Sequence, residues 1–342
     1  MRAWRRLALF LLLLAALLQP ASAQSGLIAG QVANGTQSPA APLANQPVML
    51  YVYQGEELAS QKDALTDSQG RFAFAELALD EKARYLLATN YAGVDYFSDW
   101  LALSAAAPSL EQPLTVYETT SDDGEIAIQP HHIVLAFDQG DIVAQEIVFA
   151  ENRGLRTFIG AGERVTADQA ATLRFSLPLE ATDLSFADPV TQQNIMRTPD
   201  GFVDTRPVPP GQWEYVYTYR LAAEGHYTLR KKLPYPTERL NLLVADVGAQ
   251  VTAAQLEAQG QRAMQGESYL YWTQEGLPRG AELLIELDQL PTASSQPAPV
   301  QAPEQPNALL GWAGLALVAL AVFASLVRPF WNARAPREDP NA

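Results

Sequence analysis

Between Gly26 and Pro291 the chain is written in short apolar runs that alternate with polar residues and stop at Gly, Pro, Asn or Asp. Arg71-Phe72-Ala73-Phe74 shows the pattern most clearly. Successive side chains of a strand point to opposite faces, so apolar residues spaced by two give it one apolar face. Many such strands joined by turns leave one broad solution, antiparallel sheets packed on one another, and the expected fold class is all-β. Residues 27–32 alternate weakly, Asn34-Gly35 signals a turn, and residues 47–53 (PVMLYVY) form a β-rich run. Thr66-Asp67-Ser68-Gln69-Gly70 reads as a turn, and residues 85–88 and 95–100 are further strand candidates. A small sandwich is expected over residues 24–105, followed by a connector over 106–124.

Residues 125–290 read as a second, immunoglobulin-like sandwich. Strands are expected at 126–128, 133–137, 142–150, 171–177, 213–221, 240–247 and 281–287. Turns fall at Asp138-Gln139-Gly140, Asn152-Arg153-Gly154, Pro199-Asp200-Gly201 and Pro209-Pro210-Gly211. Residues 251–265 (VTAAQLEAQGQRAMQ) form the one helix-like stretch, weakened by Gly260.

The two ends are of another kind. Residues 1–23 have the form of a secretory signal peptide: Arg2, Arg5 and Arg6, an apolar run over 7–18, Pro20, and the small residues Ala21-Ser22-Ala23 before the expected cleavage. Residues 308–327 carry no charge. At about 1.5 Å per residue in a helix they match a hydrocarbon core about 30 Å thick, so one transmembrane helix is expected. Trp312, Phe330 and Trp331 suit its two interfaces, and Arg328, Arg334 and Arg337 place the tail, residues 328–342, in the cytoplasm. Residues 291–307 (PTASSQPAPVQAPEQPN) form a Pro-rich stalk. The expected location is therefore the cell membrane, single-pass, with the N-terminal domains outside.

Part of the first domain carries a resemblance. Gly30-x-Val32-x-Asn34-Gly35-Thr36, Pro47-Val48-x-Leu50, and Thr66-Asp67-x-x-Gly70-x-Phe72-x-Phe74-x-x-Leu77 resemble the carboxypeptidase regulatory-like family, as does Tyr91-x-Gly93-Val94-x-Tyr96. The resemblance implies a transthyretin-like β-sandwich acting as a non-catalytic accessory module, in a fold sometimes grouped with carbohydrate-binding sandwiches. The peptidase itself is missing. Its zinc site needs a His-x-x-Glu pair, and neither His131-His132 nor His226 has an acidic residue three places on.

Composition narrows the chemistry. The 342 residues include no Cys and 3 His, so thiolate chemistry is excluded and a His-rich metal site is not expected. A net charge of −15 argues against nucleic acid as a partner. His131 and His132 open a strand and point to opposite faces, so they cannot share one metal. Asp122-Asp123 with Glu125, and Asp63 with Asp67, read as solvated loop charge. No nucleophile elbow, phosphate loop or dinucleotide fingerprint is present. No cofactor is expected, and the chain does not read as an enzyme.

One constellation stands out. Trp213, Tyr215, Tyr217 and Tyr219 share one face of a strand. Exposed, they would form a ligand platform for a glycan; buried, they would form core. The intervening Glu214, Val216, Thr218 and Arg220 make the wetter face, which turns the rings inward. The function expected is a membrane-anchored extracytoplasmic binding or scaffold protein whose partner is another exported or membrane protein. The alternative is a carbohydrate-binding surface module.

Overall fold

The period-two runs become strands, and among the described residues nearly all regular structure is strand. The computed structural model describes residues 25–166, 169–264 and 266–291. The leader, the stalk beyond residue 291, the apolar run at 308–327 and the tail lie outside the described residues. Among the described residues no helix is long and apolar enough to cross a membrane. The chain divides into two units, the first ending at Glu118 and the second beginning at Thr119.

The first unit contains β1 (Gly26–Asn34), β2 (Ala41–Pro42), β3 (Pro47–Gln54), β4 (Glu57–Leu65), β5 (Arg71–Leu77), β6 (Ala83–Tyr91), β7 (Val94–Phe97), β8 (Ser109–Glu111) and β9 (Leu114–Val116). In one sheet β1 pairs antiparallel with β2 and β5 and parallel with β8 and β9. The other sheet runs β4-β3-β6-β7, antiparallel throughout. Ile28, Val32, Phe72 and Phe74 of the first sheet meet Val48, Leu50, Tyr85 and Leu87 of the second in one core, which makes the unit a β-sandwich. The Asp67 carboxylate sets the turn into β5 by accepting from the backbone N–H of Gln69 (2.8 Å) and Arg71 (2.9 Å).

The connector expected over residues 106–124 is replaced by structure. β8 and β9 add to β1, and Leu114 and Val116 enter the core. Glu118 completes the unit by accepting from Asn34 Nδ2 (3.1 Å) and the Tyr91 hydroxyl (2.6 Å). Three-residue strands separated by Pro113 are too short to show alternation, so only the pairing partner reveals them.

The second unit contains β10 (Thr119–Thr120), β11 (Ile126–Asp138), β12 (Asp141–Asn152), β13 (Thr157–Phe158), β14 (Arg174–Ser176), β15 (Thr182–Phe186), a helix α1 (Pro189–Asn194), β16 (Ile195–Thr198) and β17 (Gly201–Asp204). It continues with β18 (Gly211–Leu221), β19 (His226–Lys232), β20 (Thr237–Ala245), β21 (Gln250–Thr252), β22 (Glu257–Met264), β23 (Glu267–Leu277) and β24 (Glu282–Asp288). A seven-stranded sheet runs β15-β18-β12-β11-β20-β23-β22, and only the β11–β20 pairing is parallel. Two three-stranded sheets, β14-β17-β16 and β19-β24-β21, share its main core.

The helix expected over 251–265 is overturned. Gln250–Thr252 pairs with β24, and Glu257–Met264 pairs with β23. A ladder of backbone hydrogen bonds along β23 outweighs the modest helix propensity of Ala, Gln and Glu, which favours helix by only a few tenths of a kcal/mol per residue. Gly260, at φ +83°, sits at the bulge in that ladder.

Two stability outcomes follow for the first unit. Phe74 is 4% exposed, and Phe74→Ala is expected to cost about 3–5 kcal/mol in urea unfolding. Gly70 has φ +72°, and a Cβ there would lie 2.6 Å from the Val32 carbonyl oxygen. At Gly35 an added Cβ meets the side chains of Tyr117 and Thr115, which can shift. Gly70→Val therefore lowers the melting temperature more than Gly35→Ala.

Candidate functional site

Strand parity carries the aromatic stripe inward. Tyr215, Tyr217 and Tyr219 on β18 face the same core as Ala144, Val148 and Ala150 on β12, and all three rings are buried. Trp213, nearer the start of β18, is half-buried; its indole N–H reaches the Pro209 carbonyl at 3.3 Å. The three tyrosine rings are therefore part of the core. Their hydroxyls, however, are polar groups in an apolar layer and must be bonded there.

They are bonded to two buried carboxylates. Glu146, in the middle of β12, has no exposed surface. Its Oε2 accepts from the Tyr217 hydroxyl (2.6 Å) and from His131 Nε2 (2.7 Å). Its Oε1 accepts from the Tyr219 hydroxyl (2.8 Å) and from Lys231 Nζ (2.7 Å). Register explains the convergence: Glu146 lies directly opposite Tyr217, and His131 is one diagonal step away on β11. Lys231 comes from β19, across the core, and also donates to the Ser176 carbonyl of β14 at 2.6 Å. One carboxylate thus links strands of three sheets.

The second carboxylate is Asp204, at the end of β17, also without exposed surface. Tyr215 donates to its Oδ2 at 2.7 Å. Arg206 adds Nη2 at 2.6 Å and Nε at 2.9 Å to the same oxygen, and its backbone N–H reaches Oδ1 at 2.8 Å. Arg206 also donates to Thr191 of α1, whose hydroxyl bonds Asp188 at the helix start.

The electrostatics follow from this geometry. Burial would raise the Glu146 carboxyl, but Lys231 and His131 outweigh it and hold the group well below the usual carboxylate range. Burial, reinforced by the neighbouring carboxylates, pushes Tyr215, Tyr217 and Tyr219 well above a free tyrosine, so they remain donors. Burial lowers Lys231, and Glu146 offsets this only in part. Burial also lowers His131, against the pull of Glu146.

His132 turns to the opposite face of the sheet, as strand geometry requires. Asn241 Nδ2 lies 3.2 Å from its Nδ1, while its Nε2 is buried without a hydrogen-bond partner. Burial pushes His132 down to about 4. Beside the Glu146 centre a small cavity is lined by His131, Lys231, Tyr217, Ser176, Tyr235 and Thr237. Its free volume is about 20 Å³, room for one water molecule. No group of three or more His, Asp or Glu placed to hold a metal occurs among the described residues. The acidic loop residues are used locally: Asp122 accepts from Gly124 N–H and Asp123 from Arg279.

Sequence reading picked out the tyrosines but not the carboxylates they serve. Glu146 sits in the run Asp141–Asn152, and a Gln145-Glu146 pair set between the apolar stretches Ile142–Ala144 and Ile147–Ala150 is the one signal the sequence offers.

Two outcomes test this centre. Lys231→Met leaves the Glu146 charge buried without its cation and is expected to cost about 3–5 kcal/mol in denaturant unfolding. Acid acts through the histidines. Both have folded values below the unfolded value of 6.5, so their contribution is complete above that pH. It declines as pH falls below about 6.5, by up to about 1.4 kcal/mol per pH unit for each histidine; for His132 the decline runs down to about 4. His132→Gln should make this slope shallower when unfolding is followed from pH 7 to pH 5.

No known family matches the chain, and no curated protein matches it in sequence. Among solved structures, a DUF3823 family protein from Parabacteroides merdae aligns with 58% of this chain and 98% of its own, at 13% identity and a TM-score of 0.22. Domains 3–5 of the extracellular part of Drosophila OTK align with 78% of this chain and 92% of their own, at 12% identity and a TM-score of 0.13.

Proposed function

We propose that this chain is a non-catalytic binding or scaffold protein, anchored in the cell membrane by one span and working outside the cytoplasm. In this reading residues 1–23 are a cleaved leader, and residues 26–118 are a transthyretin-like sandwich that resembles the carboxypeptidase regulatory-like family. The second unit is a β-sandwich in which a seven-stranded sheet shares its core with two three-stranded sheets. Residues 291–307 are a stalk, 308–327 the span and 328–342 a cytoplasmic tail. The partner is another exported or membrane protein.

The observation that carries the non-catalytic reading is the saturation of Glu146. A carboxylate has about four lone-pair sites, and four donors occupy them. A general base needs a free lone pair within reach of a substrate proton, and the adjoining cavity is only about 20 Å³. His131 and Lys231 are engaged by the same carboxylate, so the groups richest in chemistry serve one another. The charge-free run at 308–327 and the arginines after it support the anchor. The burial of Tyr215, Tyr217 and Tyr219 weighs against a glycan platform on β18.

Alkaline carbonate extraction tests the anchor. The full chain is expected in the membrane pellet, and a chain truncated before Asn307 in the supernatant. A truncated chain that stays in the pellet would refute the span.

A further inference from the structure

The outer face of the β4-β3-β6-β7 sheet carries a surface that the fold does not use. Core-facing positions in β3 and β6 are Val48, Leu50, Ala83, Tyr85 and Leu87. The alternate positions therefore point away from the core: Met49, Tyr51 and Tyr53 on β3, and Leu86 and Ala88 on β6. Phe97 pairs with Ala88 and lies on the same side. The antiparallel bridge between Tyr85 and Leu101 brings Trp100 back over this face. Its ring centroid is 5.1 Å from that of Tyr53, with the planes at 83°. Trp100 is 60% exposed and Phe97 58%. A solvent face of an antiparallel sheet ordinarily carries polar residues, so clustered aromatic rings there mark a binding surface.

We infer that this face binds a neutral oligosaccharide, an inference that rests on the extracytoplasmic reading above. A pyranose ring has C–H bonds on one side and hydroxyls around its edge. It therefore suits aromatic rings set beside hydrogen-bonding side chains. Here Gln61 lies opposite Tyr51, Asp63 opposite Met49, and Arg84 opposite Tyr53. Size and charge decide against the other occupants. Large side chains present about 150–250 Å² each, so the exposed parts of Trp100, Phe97 and Leu58, which lies opposite Tyr53 on β4, offer on the order of 300 Å². A stable protein interface needs about 800 Å² per partner. A net charge of −15 also repels a second copy and anionic lipid headgroups, whereas an uncharged sugar meets no such repulsion.

The test is calorimetric titration of the detergent-solubilised full chain with cellohexaose, chitohexaose and maltohexaose. Binding of at least one is expected, weakened by about tenfold or more in Trp100→Ala and largely kept in Trp100→Phe. Because Trp100 is mostly exposed, the melting temperature of Trp100→Ala should stay within about 2 °C of the parent. Tyr51→Ala gives a second, independent loss of affinity. The inference is overturned if none of the three sugars binds at about 5 mM, or if Trp100→Ala binds as well as the parent. It is equally overturned if the tryptophan is needed instead for self-association in light scattering or for capture by lipid vesicles. A chain that fails to bind sugar yet remains in the carbonate pellet loses this inference alone and keeps the anchored reading.

Discussion

The second unit is organised around one unfavourable act, the placing of a glutamate in the middle of an apolar sheet. An isolated carboxylate at that depth would cost many kcal/mol, so the chain must bring donors to it or lose the fold. Tyr217 and Tyr219 come from the neighbouring strand, His131 from the other side, and Lys231 from the facing layer. Because Lys231 also bonds the Ser176 carbonyl, one ammonium ties strands of three sheets together. The net gain over a purely apolar core is small by general experience, but loss of one partner is costly. Such a centre acts chiefly as a registry device: a one-residue slip of β18 would turn both hydroxyls to the far face.

Asp204 repeats the arrangement at the other end of the stripe. Tyr215 and Arg206 satisfy it, and Arg206 extends the network to Thr191 and Asp188 at the start of α1. A tyrosine at every second position along β18 thus serves two purposes. The rings fill the core against Phe175, Phe186 and Phe202, and the hydroxyls answer buried charge. The first unit has a different economy. Its core is apolar, its polar network lies at the rim around Asn34, Tyr91 and Glu118, and its aromatic surplus faces outward on β3 and near β7.

Legibility followed burial. Strands with one apolar face, such as β5 with Phe72 and Phe74 or β18 with its tyrosines, could be read directly, because alternation records a face that meets a core. The Asp67–Gly70 turn could be read because a carboxylate and a glycine perform local tasks. β4 (ELASQKDAL) and β22 (EAQGQRAM) could not, because they are sheet edges exposed along nearly their whole length, with no apolar face to record. β22 even resembled a helix, since its residues were chosen for solvent rather than for packing. β8 and β9 escaped notice because three residues carry too little pattern.

From the sequence alone came the all-β class, the inward turn of the β18 rings argued from their wetter alternate positions, and the expected leader, stalk and span at the ends. These are properties of consecutive residues, and local pattern is enough to express them. Only the tertiary structure decided what those rings bond to, where the first unit ends, and which aromatic residues reach solvent. Glu146 and Lys231 are 85 positions apart, and Tyr53 and Trp100 are brought into contact by strand pairing. Relations of that kind arise from register and layer packing, which depend on the whole set of pairings and are written in no short stretch of chain.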